Sequence, residues 1–424
     1  MCTLKRQATT VTPSGSTGSG NTTSNSGDVI AASWYAGWNY QYFAPSNISW
    51  SKYSTVYYAF AETTPDSSTI SLTSDDTNVL PQFVSLAHQN NVKAVLTIGG
   101  WSGSQYFSSS LATADNRTAF INAVTKLVSQ YDLDGVDFDW EYPGKQGLGC
   151  NTISDNDSAN FLSMLQELRS QPAGKNLTLS AAVSITPFVG SGGTPMSDVS
   201  AFASVLDYIE IMNYDIWGSW STGVGPNAPL DDSCAPPADQ QGSATSAVKA
   251  WTAAKMPADQ IILGVASYGH SFSVSTSAAS NGSSLAAYPA FNKAEQPDGD
   301  KWSGDATFNA SATDACGNPV TKSGIFDFWG MVDGGFLTAN GSVAEGMMSR
   351  YDECSQTPYV YNPNTQVMIS YDNAQSFAAK GQFINTQGLA GFAMWETGGD
   401  LNDVLLDAIS QGAGVDSSDS FDDC

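Results

Sequence analysis

The sequence predicts an α/β fold: a closed (β/α)8 TIM barrel with a small α+β subdomain inserted between its seventh strand and seventh helix. Three observations predict it. Eight short apolar runs recur along the chain, with helical patterns between most of them. Each run is nearly continuous in apolar residues, as parallel strands covered by helices are. One interval, from Ser267 to Leu389, is far longer than one helix requires.

The strand runs fall at residues 30–36, 56–60, 92–98, 135–141, 177–185, 208–213, 261–267 and 389–395. Helical periodicity marks residues 79–89, 114–130, 158–170, 243–255, 374–385 and 401–409. The expected barrel is therefore residues 29–272 and 367–412, and the expected insert residues 273–366. The insert carries Tyr288, Phe291, Trp302, Phe326, Phe328, Trp329 and Phe336, and is expected to wall one side of the barrel mouth. Residues 1–28 are dominated by Ser, Thr, Gly and Asn and read as a flexible linker; residues 413–424 read as an acidic tail.

Composition narrows the function. The net charge of −25 repels phosphate backbones and anionic lipid, so neither nucleic acid nor membrane is an expected partner. A neutral polymer is not repelled. An aromatic content of 11% exceeds what a core alone uses, and surplus rings suit the faces of sugars. No apolar run reaches 18 residues, so no membrane span is expected. The six cysteines form no C-x-x-C and only two histidines accompany them, so neither a metal nor a cofactor is expected. An even cysteine count suits disulfides. The pairs expected are Cys316 with Cys354 and Cys150 with Cys234, leaving Cys2 and Cys424. Eight N-x-S/T sequons (Asn21, Asn47, Asn116, Asn156, Asn176, Asn281, Asn309 and Asn340) point with them to a secreted glycoprotein. No apolar signal-peptide core is visible in M-C-T-L-K-R-Q. A monomer is expected.

The run L-D-G-V-D-F-D-W-E-Y (133–142) carries the chemistry. Strand side chains alternate faces, so Asp137, Asp139 and Glu141 share one and Val136, Phe138 and Trp140 the other. In a barrel the apolar set meets the helices and the acids point inward, with Glu141 nearest the C-terminal mouth. Neighbouring acids ~6.6–6.8 Å apart repel by roughly 2.5 kcal/mol at an effective dielectric near 20. Such a ladder shares protons, and at least one member has a raised pKa. A carboxyl protonated near neutral pH is what a general acid requires. The spacing does not match the calcium-loop pattern.

D-G-V-D-F-D-W-E-Y resembles the D-x-x-D-x-D-x-E signature of family 18 glycoside hydrolases, the chitinases and their relatives. Further segments resemble that family in order: Thr97–Trp101 (T-I-G-G-W), Met212–Asp215 (M-N-Y-D), Gly225–Leu230 (G-P-N-A-P-L), Met368–Asp372 (M-I-S-Y-D) and Gly391–Trp395 (G-F-A-M-W). The resemblance spans about residues 30–409, and the long insert matches the chitinase insertion domain of one subgroup.

The resemblance implies hydrolysis of chitin and chitooligosaccharides by a retaining, substrate-assisted route, in which the sugar's own acetamido oxygen is the nucleophile. It implies that Glu141 is the acid and then the base. Asp139 would orient the acetamido group and Asp137 would share its proton. Tyr214 would hold the acetamido carbonyl. Trp395 would floor the sugar at the cleavage point, and Trp38 and Trp101 would stack on sugars further along. Phe60, Gly100, Tyr142, Met212, Asp215, Tyr268 and His270 complete the implied binding set. Of the remainder, Asp134 reads as structural, Trp217 and Trp220 as subsite aromatics or loop packing, and one of Trp34 and Tyr35 faces inward. Many relatives carry Arg where this chain has His270, which puts the length preference in question. Two alternatives share the signature: an endo-β-N-acetylglucosaminidase acting on N-glycans, and an inactive chitin-binding lectin.

Overall fold

The computed structural model describes residues 29–280, 282 and 284–415. The expected linker, most of the acidic tail, Cys2, Cys424, Asn21 and Asn281 lie outside the described residues.

Eight parallel strands close into a ring: β1 (Ile30–Ala36), β2 (Thr55–Thr63), β3 (Lys93–Gly99), β4 (Gly135–Asp139), β5 (Thr178–Val183), β6 (Tyr208–Ile211), β7 (Ile261–Ala266) and β8 (Gly391–Trp395). Each pairs with the next, and β8 pairs with β1, so no barrel strand is left as an edge. Every position of β3, β5, β6 and β7, apart from half-buried Lys93, is buried, as the continuous apolar runs predict.

Helices α1 (Ser74–Gln89), α2 (Ala114–Tyr131), α3 (Asp157–Ser170), α4 (Ala244–Ala253), α5 (Ala374–Gln387) and α6 (Val404–Ala413) cover the outside. Helix α1 starts before the apolar periodicity does, because Thr73 and Asp76 form a reciprocal capping box over a polar first turn. Two connections lack a full helix. The β1–β2 segment uses three 3-10 turns, and the β5–β6 segment has one helical turn, Ser200–Ala203.

The long interval between β7 and β8 holds a second, antiparallel sheet. Its strands run in the order Ile325–Asp327, Tyr268–Ser273, Val367–Ser370, Thr357–Asn362, Met348–Asp352. The sheet therefore draws in Tyr268–Ser273 and Val367–Ser370, which reach beyond residues 273 and 366. This register is what carries Tyr268 and His270 towards the barrel mouth.

The disulfides differ from the expected pairs. Cys150 is joined to Cys316, and Cys234 to Cys354. The expected pairs would have lain one within the insert and one within the barrel. The fold instead brings the loop after β4 and the loop after β6 each against the insert. Both bridges staple insert to barrel, closing loops of 166 and 120 residues.

Candidate active site

The alternation in β4 sorts its residues by environment. Val136, Phe138 and Trp140 join the main core; Trp140 stacks on Phe107 at 5.1 Å and meets Phe161 edge-on at 5.6 Å. Asp137 is fully buried on the opposite face, and Asp139 and Glu141 follow it to the mouth. Asp134 takes a different role. It accepts hydrogen bonds from the Ala94 N–H at 2.8 Å and from His88 at 2.9 Å, and so ties β4 to β3 at the far end of the barrel.

Asp137 is the best-served acid. The Trp34 indole N–H (3.1 Å), the Thr97 hydroxyl (2.9 Å) and the Ser180 hydroxyl (2.9 Å) all donate to it. These donors come from β1, β3 and β5, whose register sets Thr97 and Ser180 directly beside Asp137. Burial raises the Asp137 pKa and these hydrogen bonds restrain the rise. Trp34 is thus the inward member of its pair, whereas Tyr35 packs outward on Phe83 at 5.7 Å.

Asp139 has no such support, and its Oδ1 lacks a hydrogen-bond partner. Burial, then the neighbouring carboxyls of Glu141, Asp137 and Glu210, push it well above the carboxylate range. Burial pushes Glu141 up to about 7; the Tyr142 hydroxyl opposes the rise and the charge of Asp215 adds to it. The turn carrying Glu141 is pinned from behind. Ser104 donates to the Asp139 carbonyl (2.9 Å) and accepts from the Glu141 N–H (3.0 Å), while Asn151 donates to the Glu141 carbonyl (2.9 Å).

The T-I-G-G-W segment has a steric reason. Gly99 has φ +116°, and a Cβ there would stand 2.1 Å from the Asp139 carbonyl oxygen. Gly100, at φ +81°, lets the Phe60 ring lie 2.9 Å from where its Cβ would be. Peptide bonds Ala59–Phe60, Glu141–Tyr142 and Trp395–Glu396 are cis.

These residues open into a cavity of about 410 Å3 whose walls include Phe60, Trp101, Asp139, Glu141, Tyr142, Met212, Tyr214, Asp215 and Trp395. The Trp395 ring stacks on Phe60 at 5.4 Å, and Trp38 leans on both rings. Trp38 and Trp101 are 56% and 50% exposed, so each presents a ring face to solvent at the rim. Tyr214 is held protonated, because burial and then the charges of Asp139, Asp215 and Glu141 disfavour its phenolate. Asp215 sits half-exposed at the wall. Burial works to raise it, but the hydrogen bond and charge of His270 and the hydroxyl of Tyr268 outweigh that, and its pKa is lowered.

Asp137, Gly100, Tyr268 and His270 stand behind the cavity wall rather than in it. Ser184, Ile185, Ile216 and Gln241 line the cavity but carried no signal in the sequence. Asn227 also escaped sequence reasoning. It accepts from the Asp215 N–H at 2.9 Å and donates to the Tyr268 carbonyl at 3.1 Å, which explains the G-P-N-A-P-L segment as a brace for Asp215. Trp217 is buried against Tyr288, whereas Trp220 is 58% exposed and meets His270 edge-on.

A paired set of inward acids, a protonated tyrosine and an aromatic floor at a barrel mouth is a glycosidase arrangement. Residues 31–400 match the family model for glycosyl hydrolases family 18. The chain belongs to that family. Among curated relatives, a chitinase-like effector of Moniliophthora roreri is 50% identical over 397 residues, covering 93% of this chain and 95% of the relative. A chitinase-like effector of Moniliophthora perniciosa is 48% identical, covering 95% and 90%. A solved chitinase of Rhizomucor miehei is 32% identical, covers 90% of this chain and 99% of its own, and superposes with a TM-score of 0.80. As a family 18 member the chain has the (β/α)8 barrel of the glycoside hydrolases, joined to its insert by two disulfides. Among the described residues no helix is long and apolar enough to cross a membrane.

Proposed function

We propose that the protein is a secreted chitinase that cuts β-1,4 bonds between N-acetylglucosamine units with retention of configuration. The observation that carries this reading is the placement of Glu141 next above Asp139 on the inward face of β4, both opening into the cavity at the mouth; burial raises Glu141 to about 7 and raises Asp139 as well. Glu141 gives its proton to the glycosidic oxygen as the C1–O bond breaks. The acetamido oxygen of the same sugar closes on C1, and the positive oxazolinium forms with no protein nucleophile. Asp139 leaves its shared proton with Asp137, turns to the acetamido N–H and, as a carboxylate, holds the ion. Tyr214, kept protonated, donates to the acetamido oxygen. Water, deprotonated by Glu141, then opens the ring. Trp395 floors the reacting sugar, while Trp38 and Trp101 take its neighbours. On this reading residues 29–272 and 367–412 are the catalytic unit, and residues 273–366 bring up its wall.

The acidic surface suits a neutral polymer, and the two disulfides suit an oxidising compartment. A second reading, binding of chitooligosaccharide without hydrolysis, is favoured by one observation: both Moniliophthora relatives bear the name chitinase-like effector. A product time course with N-acetylglucosamine hexamer and with an N-glycopeptide separates the readings. Shorter oligomers from the hexamer support the chitinase. Release of glycan from the glycopeptide alone supports an endo-β-N-acetylglucosaminidase. Hexamer bound but never cut overturns the hydrolase and leaves the lectin.

A further inference from the structure

The acid ladder has a member that the mechanism above does not use. Glu210 lies on β6, where Tyr208, Glu210 and Met212 alternate towards the barrel interior. It is fully buried, and neither of its carboxyl oxygens has a hydrogen-bond partner. A wholly buried, unpartnered carboxyl in a native core calls for an explanation.

Register supplies the geometry. Asp139 on β4 stands beside Ala182 on β5, and Ala182 stands beside Glu210 on β6. Asp139, Ala182 and Glu210 thus fall in one register row, with their side chains on the same face of the sheet, towards the barrel interior. Ala182 between them is too small to screen one from the other. The groups facing Glu210 are Asp137 and Asp139 on β4, Tyr57 on β2, Tyr208 on its own strand and Ser180 on β5; none is a cation. Burial, then the charge of Asp137, raises its pKa well above normal; the hydroxyls of Tyr57 and Ser180, which face it without closing a hydrogen bond, oppose the rise only in part, so the carboxyl favours its protonated form. The row therefore holds two carboxyls with unpartnered oxygens, both oxygens of Glu210 and Oδ1 of Asp139.

We propose that Glu210 is a positioning residue for the acid ladder, a neutral carboxylic acid whose O–H is available as a hydrogen-bond donor to the Asp137–Asp139 layer as charge develops there. The role rests on the hydrolase reading. When Glu141 has given up its proton, the ladder carries one more negative charge than at rest. Asp137 already has side-chain donors from Trp34, Thr97 and Ser180; Asp139 Oδ1 has none. A donor at Glu210 serves that oxygen without adding charge.

The test compares Glu210→Gln with Glu210→Leu. Gln keeps a neutral donor of the same shape; Leu fills the space without one. Steady-state kinetics on the hexamer across pH 3–9 should leave the Gln variant within about 3-fold of the parent. The Leu variant should lose about 10-fold in kcat with KM little changed. Its acidic limb should move to higher pH, because a lost donor disfavours the carboxylate. Thermal unfolding controls for folding, since Leu removes a buried polar group and should not lower the Tm. A Leu variant with parental kcat and limbs overturns the proposal. If the parent itself does not turn over, the hydrolase reading has failed instead. Infrared spectroscopy of the free protein then reads the remaining claim: a protonated-carboxyl band at pH 7 that Glu210→Gln removes. An unchanged band overturns it.

Discussion

His270 Nε2 lies 2.7 Å from Asp215 Oδ1, and the Tyr268 hydroxyl donates to the same oxygen at 2.7 Å. Asp215 belongs to the loop after β6, whereas both partners lie on the first strand of the inserted sheet. The insert thereby holds a wall residue of the cavity from behind. A histidine does this with one ring nitrogen, where an arginine would bring a fixed fork of donors.

Replacing His270 should act on binding before chemistry. His270→Ala removes a donor that lowers the Asp215 pKa, so Asp215 should titrate at higher pH and lose its fixed orientation. Hydrogen bonds to charged groups contribute about 1.5–3 kcal/mol, so KM for the hexamer should rise about 10-fold or more with a smaller change in kcat. His270→Gln, which keeps a donor, should recover part of it. Equal losses in kcat and no change in KM would contradict this.

Glu141→Gln should abolish most turnover and spare binding. A general acid contributes about 10²–10⁴ in rate, so kcat should fall by at least about 100-fold. Calorimetric affinity for the hexamer should stay within a few-fold of the parent. In the parent, the acid form is present below about pH 7 and lost above it, so kcat/KM should decline on the alkaline side of neutrality. Undiminished turnover in Glu141→Gln would sink the assignment.

Asp139→Asn tests the substrate-assisted route itself. Asn can still meet the acetamido group but cannot offset the oxazolinium charge. Loss of one preorganised stabilising group costs about 10²–10³ in kcat. A variant with parental kcat would mean that no such ion forms.

Stability should decline from mildly acidic to mildly alkaline pH. Burial raises Glu396 to about 7 and Asp400 to about 6, even though backbone N–H groups donate to both. Glu141 behaves alike. Each folded-state pKa stands above its unfolded value of about 4. The native state therefore binds more protons than the unfolded chain between about pH 4 and 7. The stability these groups contribute is fully present below their unfolded values and is lost as pH rises through 6 and 7. Calorimetric Tm should fall between pH 5 and pH 8, and a Tm that rises over that window would refute the sign.

The two disulfides should hold the insert to the barrel. Removing a native disulfide from a small secreted domain costs about 2–5 kcal/mol, and loops of 166 and 120 residues lie at the long end of the range. Cys150→Ser with Cys316→Ser should lower the Tm and expose the insert to protease before the barrel. Cys234→Ser with Cys354→Ser should additionally loosen the loop that carries Asp215. Proteolysis that starts in the barrel would argue against this division of labour.

Much of this protein can be read from sequence because strands have a period of two. Alternation alone sorts Val136, Phe138 and Trp140 from Asp137, Asp139 and Glu141, and continuous apolar runs mark β3, β5, β6 and β7 as covered strands. Gly99 and Gly100 signal a close approach that only glycine permits. What these signals share is that each depends on near neighbours along the chain. The cysteine pairing does not. Cys150 meets Cys316, and Cys234 meets Cys354, because the insert folds back over two barrel loops, a contact between elements more than 100 residues apart. The donors to Asp137 from β1 and β5 and the row that joins Asp139 to Glu210 are likewise matters of register between strands, and the Asn227 brace and the His270–Asp215 bond are matters of how loop and insert dock. Local pattern determined which residues face inward; only closure of the ring and docking of the insert decided which of them meet.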